Sequence, residues 1–135
     1  MTELAYIVKL APVTKKNSQK IAVNRVSGRP FIMQSEQYKR FEEAAGWFLK
    51  PRPAKPVAQP VNVKYLFYMP SRRRVDLANL VSAMDDVLVK HGILADDNRD
   101  ILAAHDGCRV YHDHDAPRVE VFIEPMPDSY KQWKE

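Results

Sequence analysis

The sequence predicts an α+β domain in which two helices pack against a mixed β-sheet. Apolar residues recur at helical spacing in two stretches, 36–50 and 76–91, whereas the other apolar runs alternate or are β-branched. The resulting order is strand, hairpin, helix, strand, helix, strand, strand, which suits helices segregated from a sheet. A chain of 135 residues builds one hydrophobic core, so residues 1–135 are read as a single domain.

"LAYIVKL" (residues 4–10) is apolar and partly β-branched and stops before Pro12, which makes it a strand. The basic, polar segment "VTKKNSQKIAVNR" runs into "SGRPFIM", a Ser-Gly turn before a short apolar strand, so this region is a loop or hairpin. Ser35 is a helix cap, and Tyr38, Phe41, Ala45 and Phe48 share one face of a helix expected to end near Lys50. The four prolines of "PRPAKPVAQP" then exclude helix and define a stiff surface connection within the domain.

In "VNVKYLFYM" (61–69), Val61, Val63, Tyr65, Phe67 and Met69 fall on one face, while Leu66 and Tyr68 make the other partly apolar; a central strand fits this pattern. The second helix opens at Asp76, buries Leu77, Leu80, Val81, Met84 and Leu88, and stops at Gly92. A strand through "DILAAHDGCRVYH", a turn at "DHDAP" and a closing strand "RVEVFIE" complete the sheet, leaving 125–135 as a flexible tail onto which Trp133 is able to dock.

Hydrophobic residues make up 45% and charged residues 28%, which excludes a disordered chain, and no stretch reaches transmembrane length. The single cysteine, Cys108, excludes an internal disulfide and a Cys-rich zinc site; with no secretion signal, a cytoplasmic location is expected. The net charge of +4 is modest, but bases cluster at Lys15, Lys16, Lys20 and Arg25 and again at Arg72, Arg73 and Arg74. Such clusters neutralise several phosphates at once and release their counterions, although a generic basic surface has the same composition.

Acids accompany the second cluster. Asp76 follows the arginines directly, and "ADDNRD" adds Asp96, Asp97 and Asp100 one helix later. Taken singly, Asp76 is a helix cap and the others are solvated turn residues. Taken together, they suit magnesium or manganese, which needs one or two carboxylates plus water and substrate phosphate. His112 and His114 in "HDHD" share one side of an extended chain but are read as a solvated turn, and Cys108 as a small core or edge residue.

The stretch "MPSRRRVDLANLVSAMDDVLVKHGILADDNRDI" (69–101) resembles the signature region of the RusA family of Holliday-junction resolvases, in which a basic turn leads to an Asp-Leu-Asp-Asn-Leu helix start and an Asp-Asp turn. "LAPVTKKNSQKI" and "RVEVFIE" resemble the family's two ends, so the likeness spans most of the chain. It implies a RusA-like fold, a homodimer and metal-dependent cleavage of four-way DNA junctions in recombination and repair. It also implies Asp76 and Asp97 as catalytic metal ligands, Asp96 and Asp100 as substitutes, and Asn79 in support. Lys15, Lys16, Lys20 and Arg72, Arg73 and Arg74 would grip DNA.

Two positions depart from the family pattern. Ala78 stands where the second aspartate is usual, and Ser82 where some members carry a catalytic lysine. The alternatives are therefore a junction-binding relative without cleavage, which would bind branched DNA at any metal concentration without cutting it, and a basic interaction module indifferent to branched DNA.

Overall fold

The computed structural model describes residues 1–15, 19–34 and 36–130, with 19–22 and 31–34 described by their backbone alone. Lys16, Ser35 and Trp133 lie outside the described residues, as does the side chain of Lys20. The elements are β1 (Leu4–Val8), β2 (Gln19–Val23), β3 (Pro30–Gln34), α1 (Glu36–Ala45), β4 (Val61–Met69), α2 (Leu77–Lys90), β5 (Leu102–Ala104), β6 (Arg109–His112) and β7 (Arg118–Pro125). The expected α+β class and mixed sheet are what the chain adopts.

β7 lies between β1 and β4 and is antiparallel to both. On its other side β4 pairs in parallel with β5 near Val61 and with β6 at residues 66–69. Parallel neighbours cannot be joined by a tight turn, so the chain crosses from β4 to β5 through α2. β2 and β3 form a separate antiparallel ribbon.

The alternation along β4 sets the core. Val61, Val63, Tyr65 and Phe67 are wholly buried, flanked by Val119, Val121 and Ile123 of β7 and by Tyr6 and Val8 of β1. Phe41 and Ala45 from α1, with Leu80, Met84, Val87 and Leu88 from α2, complete one continuous cluster. Long cations cover part of the opposite sheet face: Lys64 Nζ lies 4.8 Å from the Phe122 ring centre, and the Arg118 guanidinium 3.8 Å from that of Tyr68, which stacks on Tyr111.

Three expectations change. First, α1 ends at Ala45 rather than near Lys50. A β-carbon at position 46 would stand 2.6 Å from His91 Cε1, so Gly46 admits this close approach. The chain tightens there, Trp47 N and Phe48 N donate to the carbonyls three residues back, and Arg52 donates to the Gly46 and Leu49 carbonyls.

Second, Leu77 is 38% exposed because it faces an open cleft, and Val81 is only half-buried, packing against the core at the edge of the same cleft. Third, the single strand expected through residues 100–112 is split into β5 and β6. Buried Asn62 brackets the break, donating through Nδ2 to the Asp106 carbonyl at 3.2 Å and accepting from Asp106 N at 2.7 Å. The Pro-rich connection is a loop within the domain, as expected, tied down where Val57 exchanges backbone hydrogen bonds with Ile93 and Ala95. Beyond β7, Met126 N donates to the Pro60 carbonyl and Tyr130 N to that of Pro127.

Because Phe67 lies at the centre of this cluster, Phe67→Ala should cost about 3–5 kcal/mol, read as a lower midpoint in urea unfolding.

Candidate functional site

Asp76 caps α2, its Oδ1 accepting from Ala78 N at 2.8 Å and Asn79 N at 3.4 Å. This fixes the first turn and points the face bearing Ala78, Ser82 and Asp85, spaced four and three residues apart, into an open cleft of about 540 Å3. Asp97 lines the same cleft, and the turn of residues 105–108 forms the facing wall. Position 78, the first departure from the family pattern, thus shares a cavity with Asp97. Asp76 is not among the residues lining it.

Arg73 and Arg74 line a different groove of about 340 Å3, between residues 11–14 and residues 69–75. Lys15 forms an ion pair with Asp86 of α2, so one expected DNA-binding base already has an internal partner. Arg72 is exposed beside these two arginines.

The acidic turn after α2 is held by its own side chains. Asp96 Oδ1 accepts from Asp97 N at 2.7 Å, Asp96 Oδ2 from Asn98 Nδ2 at 3.3 Å, and Asn98 Oδ1 from Asp100 N at 2.9 Å. The Asp97 carboxyl sits above its ordinary range, first because it loses some water and then through its hydrogen bond with Asp96 and the charges of Asp96 and Asp86, which outweigh its own backbone hydrogen bond. Ionisation at Asp97 is therefore opposed by neighbouring acids.

Asp85, His105 and Asp106 line the cleft although the sequence reading assigned none of them to a site. Asp85 accepts from the buried Tyr65 hydroxyl at 2.6 Å and from His105 Nε2 at 3.0 Å, while His105 Nδ1 donates to the Val63 carbonyl at 2.7 Å. Both partners of His105 are acceptors, so only the doubly protonated imidazolium satisfies them together. Burial opposes that charge, but hydrogen bonds to Asp85 and Cys108, the Asp85 charge and the Val63 carbonyl outweigh it and push the pKa up to about 10. The spacing of Ala78, Ser82 and Asp85 on one helix face was a usable signal for Asp85; nothing local marked His105 as its partner.

Among the described residues, no group of three or more His, Cys, Asp or Glu is arranged to hold a metal ion. His112 and His114 are exposed in or beside the last turn, as expected, and Cys108 is half-buried, accepting from Tyr65 N. No helix among the described residues is long and apolar enough to cross a membrane.

This is a small α+β domain with an acid-lined cleft at the start of a helix and arginines immediately before that helix. The sequence model of the family described as Endodeoxyribonuclease RusA matches residues 10–124, and the chain belongs to this family. The family comprises endodeoxyribonucleases that resolve Holliday junctions in recombination and act on branched DNA. Comparison with curated proteins gives no match.

The His105 pair generates a pH dependence. Its folded-state pKa lies above the ordinary 6.5, so its contribution is complete below that value and is lost as pH rises towards about 10. Urea unfolding should show wild type more stable than His105→Gln by about 1–3 kcal/mol near about pH 6, with the gap narrowing near about pH 10. A gap that is the same at both pH values would refute a charged His105.

Proposed function

We propose that the chain is a magnesium- or manganese-dependent endonuclease that nicks four-way DNA junctions in pairs, acting as a homodimer. The observation that carries this reading is the shared cleft of Ala78, Ser82, Asp85 and Asp97 on a chain of the RusA family. The donor set suits a cation that keeps most of its shell as water and DNA phosphate, since magnesium is commonly held by one or two carboxylates. Among the described residues it does not suit a closed protein cage.

In this reading Asp97 offers a carboxylate to the cation from the cleft wall. Asp76, which stands at the helix start outside the cleft lining, would have to reach the cation from there with the oxygen not used as a cap, and Asp96 and Asp100 stand by as substitutes. When bound, the ion would polarise the scissile phosphate and lower the pKa of a water for in-line attack. Arg72, Arg73 and Arg74, with Lys16 and Lys20, hold the DNA backbone and fix its register, while Lys15 stays paired with Asp86 and Asn79 supports the helix start. A twofold dimer supplies two equivalent sites for two symmetry-related strands.

A second reading is favoured by Ala78, which removes a carboxylate from the cleft: a relative that binds junctions without cutting them. Cleavage of a synthetic four-way junction and its matching linear duplex, with magnesium, manganese or chelator, separates the two. Paired, metal-dependent nicks confined to the junction are expected, with Asp97→Asn and Asp76→Asn each losing about 100-fold or more. Asparagine caps helices as well as aspartate does, so Asp76→Asn removes charge while keeping the helix start. Junction binding without nicks by the wild type would favour the second reading.

Because position 78 lines the cleft with Asp97, Ala78→Asp should tighten metal binding and raise cleavage. Titration of manganese and junction cleavage by the variant check this, and no gain in either would sink it.

A further inference from the structure

From Lys15 to Gln34 the chain carries five bases, Lys15, Lys16, Lys20, Arg25 and Arg29, and no acid. Much of this segment is the β2–β3 ribbon, whose strands pair with each other and not with the main sheet. At its tip Val26 is 98% exposed, the highest value among the exposed large hydrophobic residues, and Arg25 and Arg29 are exposed on either side.

The tip is a turn closed by its own hydrogen bonds. Asn24 Oδ1 accepts from Val26 N at 2.9 Å and Ser27 N at 3.0 Å, and Gly28 N donates to the Asn24 carbonyl at 2.8 Å. Asn24 N donates to the Arg29 carbonyl at 2.9 Å, and Arg29 N to Ser27 Oγ at 3.2 Å. Gly28, at φ 71°, supplies the left-handed step that closes the turn. None of these bonds uses the Val26 side chain, so a polar residue would serve the turn equally well.

Single exposed apolar residues are ordinary on protein surfaces. Val26 differs in being nearly free of contact at the end of a hydrogen-bonded turn, with exposed arginines on either side in the chain. A two-stranded ribbon of this kind fits a DNA groove, where arginines take phosphates and an apolar side chain enters a base step. Within continuous duplex such a wedge must first unstack two base pairs. In an open four-way junction, the form taken without divalent cations, the base pairs beside the strand exchange lack a stacking neighbour on that side, and that cost falls.

We propose that the tip at residues 24–29 is a branch-point wedge, in which Val26 inserts between base pairs at the strand exchange while Arg25 and Arg29 hold the flanking phosphates. This rests on the junction-binding reading and adds to it the element that tells branched DNA from linear DNA.

The test uses the full chain in chelator, so that binding is read without cleavage, on a four-way junction carrying 2-aminopurine beside the branch point and on the matching linear duplex. Wild type should prefer the junction and raise 2-aminopurine fluorescence. Val26→Ser should keep its affinity for linear duplex, lose about tenfold on the junction and abolish the fluorescence rise. The double variant Arg25→Gln/Arg29→Gln should weaken binding to both DNAs and lower the salt slope by about 2. Thermal melting by circular dichroism verifies that each variant is folded. Val26→Ser with wild-type junction preference and fluorescence would overturn the wedge alone, whereas no junction preference in the wild type would overturn the underlying reading and the wedge with it.

Discussion

The hydroxyl of Tyr65 is the polar group around which the domain has to be arranged. Tyr65 is wholly buried at the centre of β4, and burial together with the nearby Asp85 holds its hydroxyl in the protonated, donating form. A buried donor without an acceptor is costly, so α2 must settle with Asp85 above it. Asp85 in turn takes His105, and His105 takes the Val63 carbonyl, so one strand, one helix and one turn are pinned by three hydrogen bonds. The cleft at the start of α2 exists because these three pieces hold their separation there.

Much of this architecture was legible in the sequence because it follows from short-range periodicity. The inward face of β4 and the cap at Asp76 are consequences of alternation and of the free amides at a helix start. The end of α1 was not legible, since it depends on His91 arriving beside Gly46 from the far end of α2. Nor was the break between β5 and β6, which depends on Asn62, more than forty residues upstream of Asp106. Of the candidate site, Asp97 could be named from its turn. Asp85 and His105 could not be named as a pair, because each becomes meaningful only when the crossover of α2 sets it over β4.

Charge is sorted along the chain as well as in space. Lys15 to Gln34 is free of acids, whereas Asp85, Asp97 and Asp106 converge on one cleft. Opposite charges gathered in separate places remain available to outside partners, although Asp85 is already taken internally by His105 and the Tyr65 hydroxyl. Lys15 is an exception, since its pairing with Asp86 ties the loop after β1 to α2. That contact trades one base from the surface for a fixed position of the segment leading into the ribbon.

The pairing of β1 with β7 also bears on how the chain is made. Leu4 lies opposite Ile123 and Val8 opposite Val119, so β1 finds its neighbour only after more than a hundred further residues have been added. At ribosomal rates of about 5–20 residues per second, β1 spends several seconds with an apolar strand and no sheet to join. During that interval β4, α2 and the strands after it can assemble locally, while β1 is an open edge in search of a partner. Until then the apolar face of β1 lies open, and the arrival of β7 is the event that covers it.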